Sequence, residues 1–250
     1  MNKKTSSSAT VSRERIMKIF GYQKTTLLDY PEHVAATVFT GGCNFRCPFC
    51  HNPELVFGDP KEFAMDPQEI FAHLNKRKGI LDGVCITGGE PTLQPDLETF
   101  IRQIKEMGYA VKLDTNGFNP TVLKHLLDEE LLDYVAMDLK ATKEKYGLAV
   151  GIPSFDVTKI EESVEILLTC KIPYEFRTTV VKGIHEIDDF EAMAKWIAGC
   201  KAYYLQQFRD GELISKENGF AAFEEEDMRK MANICSKYIE HVSLRGVDPT

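Results

Sequence analysis

Nowhere in this sequence does an apolar run approach the roughly 18 residues that a membrane-spanning helix needs. Basic residues are outnumbered, 30 Lys and Arg against 38 Asp and Glu, so the chain carries a net charge of −8. That balance argues against nucleic acid as its main partner, because phosphate binding needs a basic face. The opening MNKKTSSSATVSRER has charges and serines but no apolar h-region, so it is not a secretory signal. Residues 1–16 are expected to be a disordered tail. Cysteines number seven, an odd count, and Cys85, Cys170, Cys200 and Cys235 lie far apart. A disulfide framework is therefore not expected, and the reducing cytoplasm is. After residue 20 there is no linker rich in Pro, Gly or Ser, no repeat of fixed length and no low-complexity tract. With 250 residues and 43% hydrophobic composition the chain can bury a full core, so residues 17–250 are read as one domain.

What is present alternates. Strand-like segments fall at 34–40, 83–87, 110–115, 134–140, 174–181 and 202–208, with a further candidate at 241–246. VAATVF and GVCIT are nearly continuous apolar runs, as strands buried on both faces should be. Helix signals lie between them. Asp66 is placed to cap a helix that Pro67 opens, and Asn119–Pro120 repeats the pattern. Leu97, Phe100, Ile101, Ile104 and Met107 form one apolar stripe that Gly108 can stop. Six β–α units in a row imply an α/β fold with parallel strands and right-handed crossovers. A doubly wound sheet and an open barrel both satisfy that pattern.

The unusual residues sit at strand ends. TGGCNFRC follows the first strand, TGGEP the second and DTNG the third, and DLK closes the fourth. Parallel α/β folds bind ligands at the C-terminal ends of their strands, so this topology gathers four distant stretches at one rim. Cys43, Cys47 and Cys50 are spaced C-x3-C-x2-C and followed by His51. Thiolates bind soft metals, which admits two readings. Zinc would take the three cysteines and His51 as a closed structural site, although adjacent Cys50 and His51 would have difficulty reaching one small ion. An iron–sulfur cluster would take one thiolate on each of three irons, leaving the fourth open to a small molecule. Asp114, Thr115 and Asp138 offer carboxylate and hydroxyl oxygens that suit a hard cation. They read equally well as an Asx turn at Asp114 and a carboxylate paired with Lys140. Arg177 lies inside a strand, where a charge needs a partner.

CNFRCPFC resembles the cysteine motif of radical S-adenosylmethionine (SAM) enzymes, with Phe49 as its aromatic, and GGEP resembles their GGE motif. CHN, DTNG and DLK (Cys50–Asn52, Asp114–Gly117, Asp138–Lys140) are similar to elements of glycyl-radical-enzyme activating proteins. Residues 21–56 most resemble the anaerobic ribonucleoside-triphosphate reductase activating members, and the likeness spans roughly residues 17–247. The resemblance implies a partial (β/α)6 TIM-like open barrel. It implies a 4Fe–4S cluster on Cys43, Cys47 and Cys50 and SAM on its open iron. Gly88 and Gly89 would let backbone approach the methionine moiety, and Glu90 would hold its amino group. Lys140 and Arg177 become candidates for its carboxylate, Asp114 and Thr115 for SAM contacts, and Asp114, Thr115 and Asp138 for a monovalent cation of the kind that pyruvate formate-lyase activating enzyme has at such positions. The implied partner is a glycyl radical enzyme, with reduced flavodoxin or ferredoxin as electron donor. One departure is visible: pyruvate formate-lyase activating enzyme has a histidine where this chain reads LQQF (205–208).

Other residues read as structural. Cys235 lies on a stripe with Met228, Met231 and Tyr238; His73, His125, His185 and His241 are isolated. Three functions follow from the motifs. The first is a radical SAM activase, the second a radical SAM enzyme on a small molecule, such as a deazapurine synthase. The third is a non-catalytic cluster- or zinc-binding protein, which would not need GGE or DTNG.

Overall fold

The computed structural model describes residues 17–59, 65–209 and 219–247. The expected tail at 1–16 lies outside them. Eight strands form one sheet in chain order: β1 (Ile19–Thr26), β2 (Ala35–Thr40), β3 (Gly83–Gly88), β4 (Ala110–Thr115), β5 (Tyr134–Asp138), β6 (Tyr174–Val180), β7 (Tyr203–Gln207) and β8 (Val242–Arg245). β1 runs antiparallel to β2, and every later pair is parallel. The strand order never reverses, so the sheet is not doubly wound. β1 and β8 are not paired with each other, and the barrel stays open.

The six expected units correspond to β2–β7, and the candidate at 241–246 is β8. The sequence reading missed β1. Its residues IFGYQKTT are largely half-buried or exposed and its pairing with β2 is broken by two register shifts, so neither a buried run nor a clean alternation marks it.

Between the strands lie α1 (Pro53–Phe57), α2 (Pro67–Lys76), α3 (Leu97–Glu106), α4 (Pro120–Asp128), α5 (Tyr146–Val150), α6 (Thr158–Thr169), α7 (Asp189–Trp196) and α8 (Glu225–Cys235). Asp66 caps α2 by accepting from the Gln68 amide, as its position suggests. Asn119 precedes α4 but caps nothing with its side chain; its Nδ2 donates to the Thr92 carbonyl instead, tying α4 to the turn after β3. Leu97, Phe100, Ile101 and Ile104 of α3 are buried, each contributing roughly 1.5–3 kcal/mol. Gly108 then ends the helix at φ +90°, with open space where a side chain would lie. Met228, Met231 and Cys235 are buried on α8, in the core as expected.

Candidate functional site

All three cysteines lie in the loop between β2 and α1, and that loop is tied to the turn after β3. Gly89 N donates to the Thr40 carbonyl at 2.8 Å and Glu90 N to the Gly42 carbonyl at 2.9 Å. A Cβ on Gly88 would lie 2.3 Å from the Thr40 nitrogen, and one on Gly89 would lie 2.0 Å from the Gly42 oxygen. A side chain at either glycine is therefore excluded by the approach of one backbone to another. Both also line the site, where the sequence reading has them meet the methionine moiety. The close approach seats Glu90 beside the cysteine loop.

Every residue assigned to the site from the sequence lines one cavity of about 230 Å³ at the C-terminal ends of the strands. Among the described residues, no three His, Cys, Asp or Glu side chains converge where a single metal ion could be held. That disfavours the closed zinc site of Cys43, Cys47, Cys50 and His51. Three thiols spread around one cavity suit a polynuclear cluster, in which each binds its own iron. N–H groups are ready beside the sulfur. Phe45 N donates to Cys43 Sγ at 3.4 Å and Asn116 Nδ2 approaches it at 3.8 Å. Asn44 Nδ2 is buried with no acceptor, a donor that suits the sulfide-rich surface of a cluster. Burial pushes the Cys43 thiol up and the Cys47 thiol to about 11. The donor set fits the cluster, and metal charge would supply what the loop needs to hold thiolates.

Charge in the cavity is separated. Glu90 is fully buried, and no basic side chain among the described residues forms an ion pair with it. Four donors hold it: Thr92 N at 3.1 Å, Thr92 Oγ1 at 2.5 Å, Thr115 Oγ1 at 2.8 Å and Asn116 N at 2.6 Å. Burial still raises its pKa, the donors opposing. On the other wall Asp114 and Asp138 share Arg177, whose Nη1 donates to Asp114 Oδ2 at 3.1 Å and whose Nε donates to Asp138 Oδ1 at 3.0 Å. Lys112 also bonds Asp114, and Lys140 bonds Asp138 at 2.9 Å. Lys112, Arg177 and Lys140 set three positive charges against the two carboxylates, an excess of one. A buried carboxylate without a cation on one wall and a positive excess on the other match the ammonium and carboxylate of an amino-acid head group.

The oxygens assigned to a monovalent cation are engaged in these bonds instead. Asp114 and Asp138 face guanidinium and ammonium groups, and Thr115 donates its hydroxyl to Glu90. The alternative pairing of Asp138 with Lys140 is the one present. Burial alone would raise the Asp138 pKa, but the charges of Lys140 and Arg177 outweigh it and hold the value down to about 2. A depressed carboxylate stabilises the fold above the unfolded pKa of about 3.9, and that contribution is lost as pH falls through the folded value. Chemical denaturation between about pH 4 and 2 should therefore show native stability falling more steeply than that of Asp138→Asn. Parallel slopes would mean that Asp138 contributes nothing to acid unfolding.

Several functional residues escaped the sequence reading. Asn116 lies inside the quoted DTNG, yet its bridge between Cys43 and Asn44 (2.9 Å to Asn44 Oδ1) was not foreseen. Thr179 lines the cavity two residues beyond Arg177, as strand alternation could have indicated. His185 is buried; its Nε2 lies 2.9 Å from the Lys140 carbonyl, so it holds the backbone of the DLK segment. Phe49, by contrast, was named from the motif; it packs with Ala141, Ala149, Val181, Ile184 and Phe208 while still lining the cavity.

Residues 37–197, from β2 through α7, match the model of the radical SAM superfamily. A protein of Methanocaldococcus jannaschii, provisionally named a glycyl-radical enzyme activating enzyme, is 34% identical over 238 residues, covering 93% of this chain and 97% of that one. A protein of Saccharolobus solfataricus, provisionally named a GTP 3′,8-cyclase, is 30% identical over 82% of this chain, which spans 64% of its length. In fold, the chain is similar to the crystal structure of QueE from Escherichia coli, with a TM-score of 0.54 at 14% identity and 92% of this chain covered by 93% of that one. Among the described residues no helix is long and apolar enough to cross a membrane.

Proposed function

Because this chain belongs to the radical SAM superfamily, we propose that it is an activase that takes a hydrogen atom from a backbone glycine of a glycyl radical enzyme. Anaerobic ribonucleoside-triphosphate reductase is the partner to test first, with reduced flavodoxin or ferredoxin as electron source. The observation that carries the reading is the likeness to the M. jannaschii protein along nearly the whole of both chains. The cyclase likeness leaves more than a third of that protein unmatched.

When bound, the cluster and SAM supply a 5′-deoxyadenosyl radical by one-electron cleavage of the sulfonium. The chain's own residues do the rest. Cys43, Cys47 and Cys50 hold the cluster at the mouth of β2. Glu90, fixed by four donors, accepts the SAM ammonium, and Arg177 with Lys140 faces its carboxylate. Phe49 and its apolar neighbours close the wall beyond the cysteines and keep water from the reacting carbon. β1 and β8 are not paired with each other, so the barrel is not closed, and a peptide loop would enter from its open side. Proximity demands such a loop, since the abstracted hydrogen must lie in near-contact with the radical.

Reduced protein, SAM and the purified reductase should give an electron paramagnetic resonance doublet that collapses when glycine is deuterated at its α-carbon. The splitting comes from the α-hydrogen that remains. No doublet with any glycyl radical enzyme of the source, together with faster SAM consumption on adding GTP or another small metabolite, would replace the activase by a small-molecule enzyme.

A further inference from the structure

Lys112 adds to the charge balance of the site but is given no contact with SAM above, yet it is among the most completely buried charges of the described residues. It lies in β4 two residues before Asp114, on the same face of the strand, and its side chain is 2% exposed. Lysine is almost never so buried unless paired. Its ammonium bonds Asp114 Oδ1; its other neighbours are Cys85 Sγ at 3.8 Å and the Tyr134 ring, with the centroid at 5.9 Å. Burial pushes the Cys85 thiol up, so it stays neutral.

The other acidic groups nearby are already engaged. Glu175 lies beyond Tyr134, whose hydroxyl donates to it at 2.8 Å, and both its oxygens accept from Arg245 at 2.8 and 2.9 Å. Asp29 accepts from Thr37 Oγ1 at 2.6 Å. Lys112 is thus left to Asp114, whose second oxygen faces Arg177. An ammonium is a compact point charge, comparable in that respect to a monovalent metal ion.

We propose that Lys112 is a tethered monovalent cation: its ammonium occupies the place on Asp114 that potassium or sodium would take, and it aims Arg177 at the SAM carboxylate without any added ion. This rests on reading the cavity as the SAM site. Lys112 acts through Asp114 and Arg177, so it is a positioning residue. The consequence is specific: SAM binding should not depend on monovalent salt.

Titration calorimetry of SAM into the anaerobically reconstituted protein, in potassium chloride and in choline chloride at equal ionic strength, tests this. The native protein should bind within about twofold in the two salts. Lys112→Ala should bind at least about tenfold more weakly in choline and regain most of that loss in potassium or methylammonium. Its melting midpoint, measured without SAM, should also rise in potassium or methylammonium over choline, while the native midpoint stays put. A tenfold loss of native affinity in choline would overturn the proposal, as would a Lys112→Ala protein that binds like the native. So would weak binding that no cation restores, because a purely structural lysine gives that result. If Lys112→Ala does not fold, the native comparison still decides. If the native protein binds SAM in neither salt, the SAM reading fails, and the cation response of the variant's midpoint still judges the tethered cation.

Discussion

A Cys47→Ser protein, reconstituted anaerobically, should lose reductive SAM cleavage by more than about a hundredfold. Removing an outer-shell partner of a metal ligand already costs 10–100-fold, and Cys47 is itself a proposed ligand. Cys43→Ser and Cys50→Ser should behave alike, because each thiolate would anchor a different iron of one cluster. Cys170→Ser is the control. It caps α6, donates only to the Ile172 carbonyl and lines no part of the cavity. Its iron content and cleavage rate should match the native protein. Iron and sulfide assays with a 5′-deoxyadenosine assay read both. Stoichiometric zinc without iron, or a Cys47→Ser protein of native activity, would remove the cluster from the account.

The second large effect is one of folding rather than chemistry. Gly89→Ala puts a Cβ 2.0 Å from the Gly42 carbonyl oxygen, a backbone atom that cannot swing aside. The turn after β3 and the cysteine loop must separate or distort, with the loss of the Gly89–Thr40 and Glu90–Gly42 hydrogen bonds. The cost should reach about 4 kcal/mol or more, the range reserved for steric or buried-network failures. Gly108→Ala gives the contrast. Its φ of +90° strains alanine, but no atom lies within 4 Å of the new Cβ, so the cost should stay near 1–2 kcal/mol. Urea unfolding of both variants measures the difference. Equal, small losses would show that the two loops are not locked as described.

Much of the site was legible because its chemistry falls at strand ends, where a cysteine triplet, GGE, DTNG and DLK interrupt apolar runs. Those interruptions have no use in a core, and parallel topology sends them to one rim. The positive members inside the strands were harder. Arg177 was noticed as a charge needing a partner; Lys112 in AVKLDT was not, because a polar residue alternating with apolar ones reads as the solvent face of a strand. In this open barrel the polar face of β4 points inward. Alternation gives the sidedness of a strand but not which side is wet. Gly88 and Gly89 show a related limit: sequence shows that a backbone must come close, not whether a ligand, the chain itself or both come to meet it. β1 was missed because an irregular, half-exposed edge strand has neither a continuous nor an alternating pattern.

The central claim is hydrogen transfer from a protein glycine, and the path of that hydrogen is its most direct test. The partner enzyme is prepared with glycine deuterated at the α-carbon, then mixed anaerobically with SAM and the reduced protein. The 5′-deoxyadenosine is isolated and weighed by mass spectrometry. The account predicts one deuterium in that product, in amount equal to the glycyl radical formed. Unlabelled 5′-deoxyadenosine accompanying a full yield of glycyl radical, or labelled product from a GTP substrate instead, would contradict it.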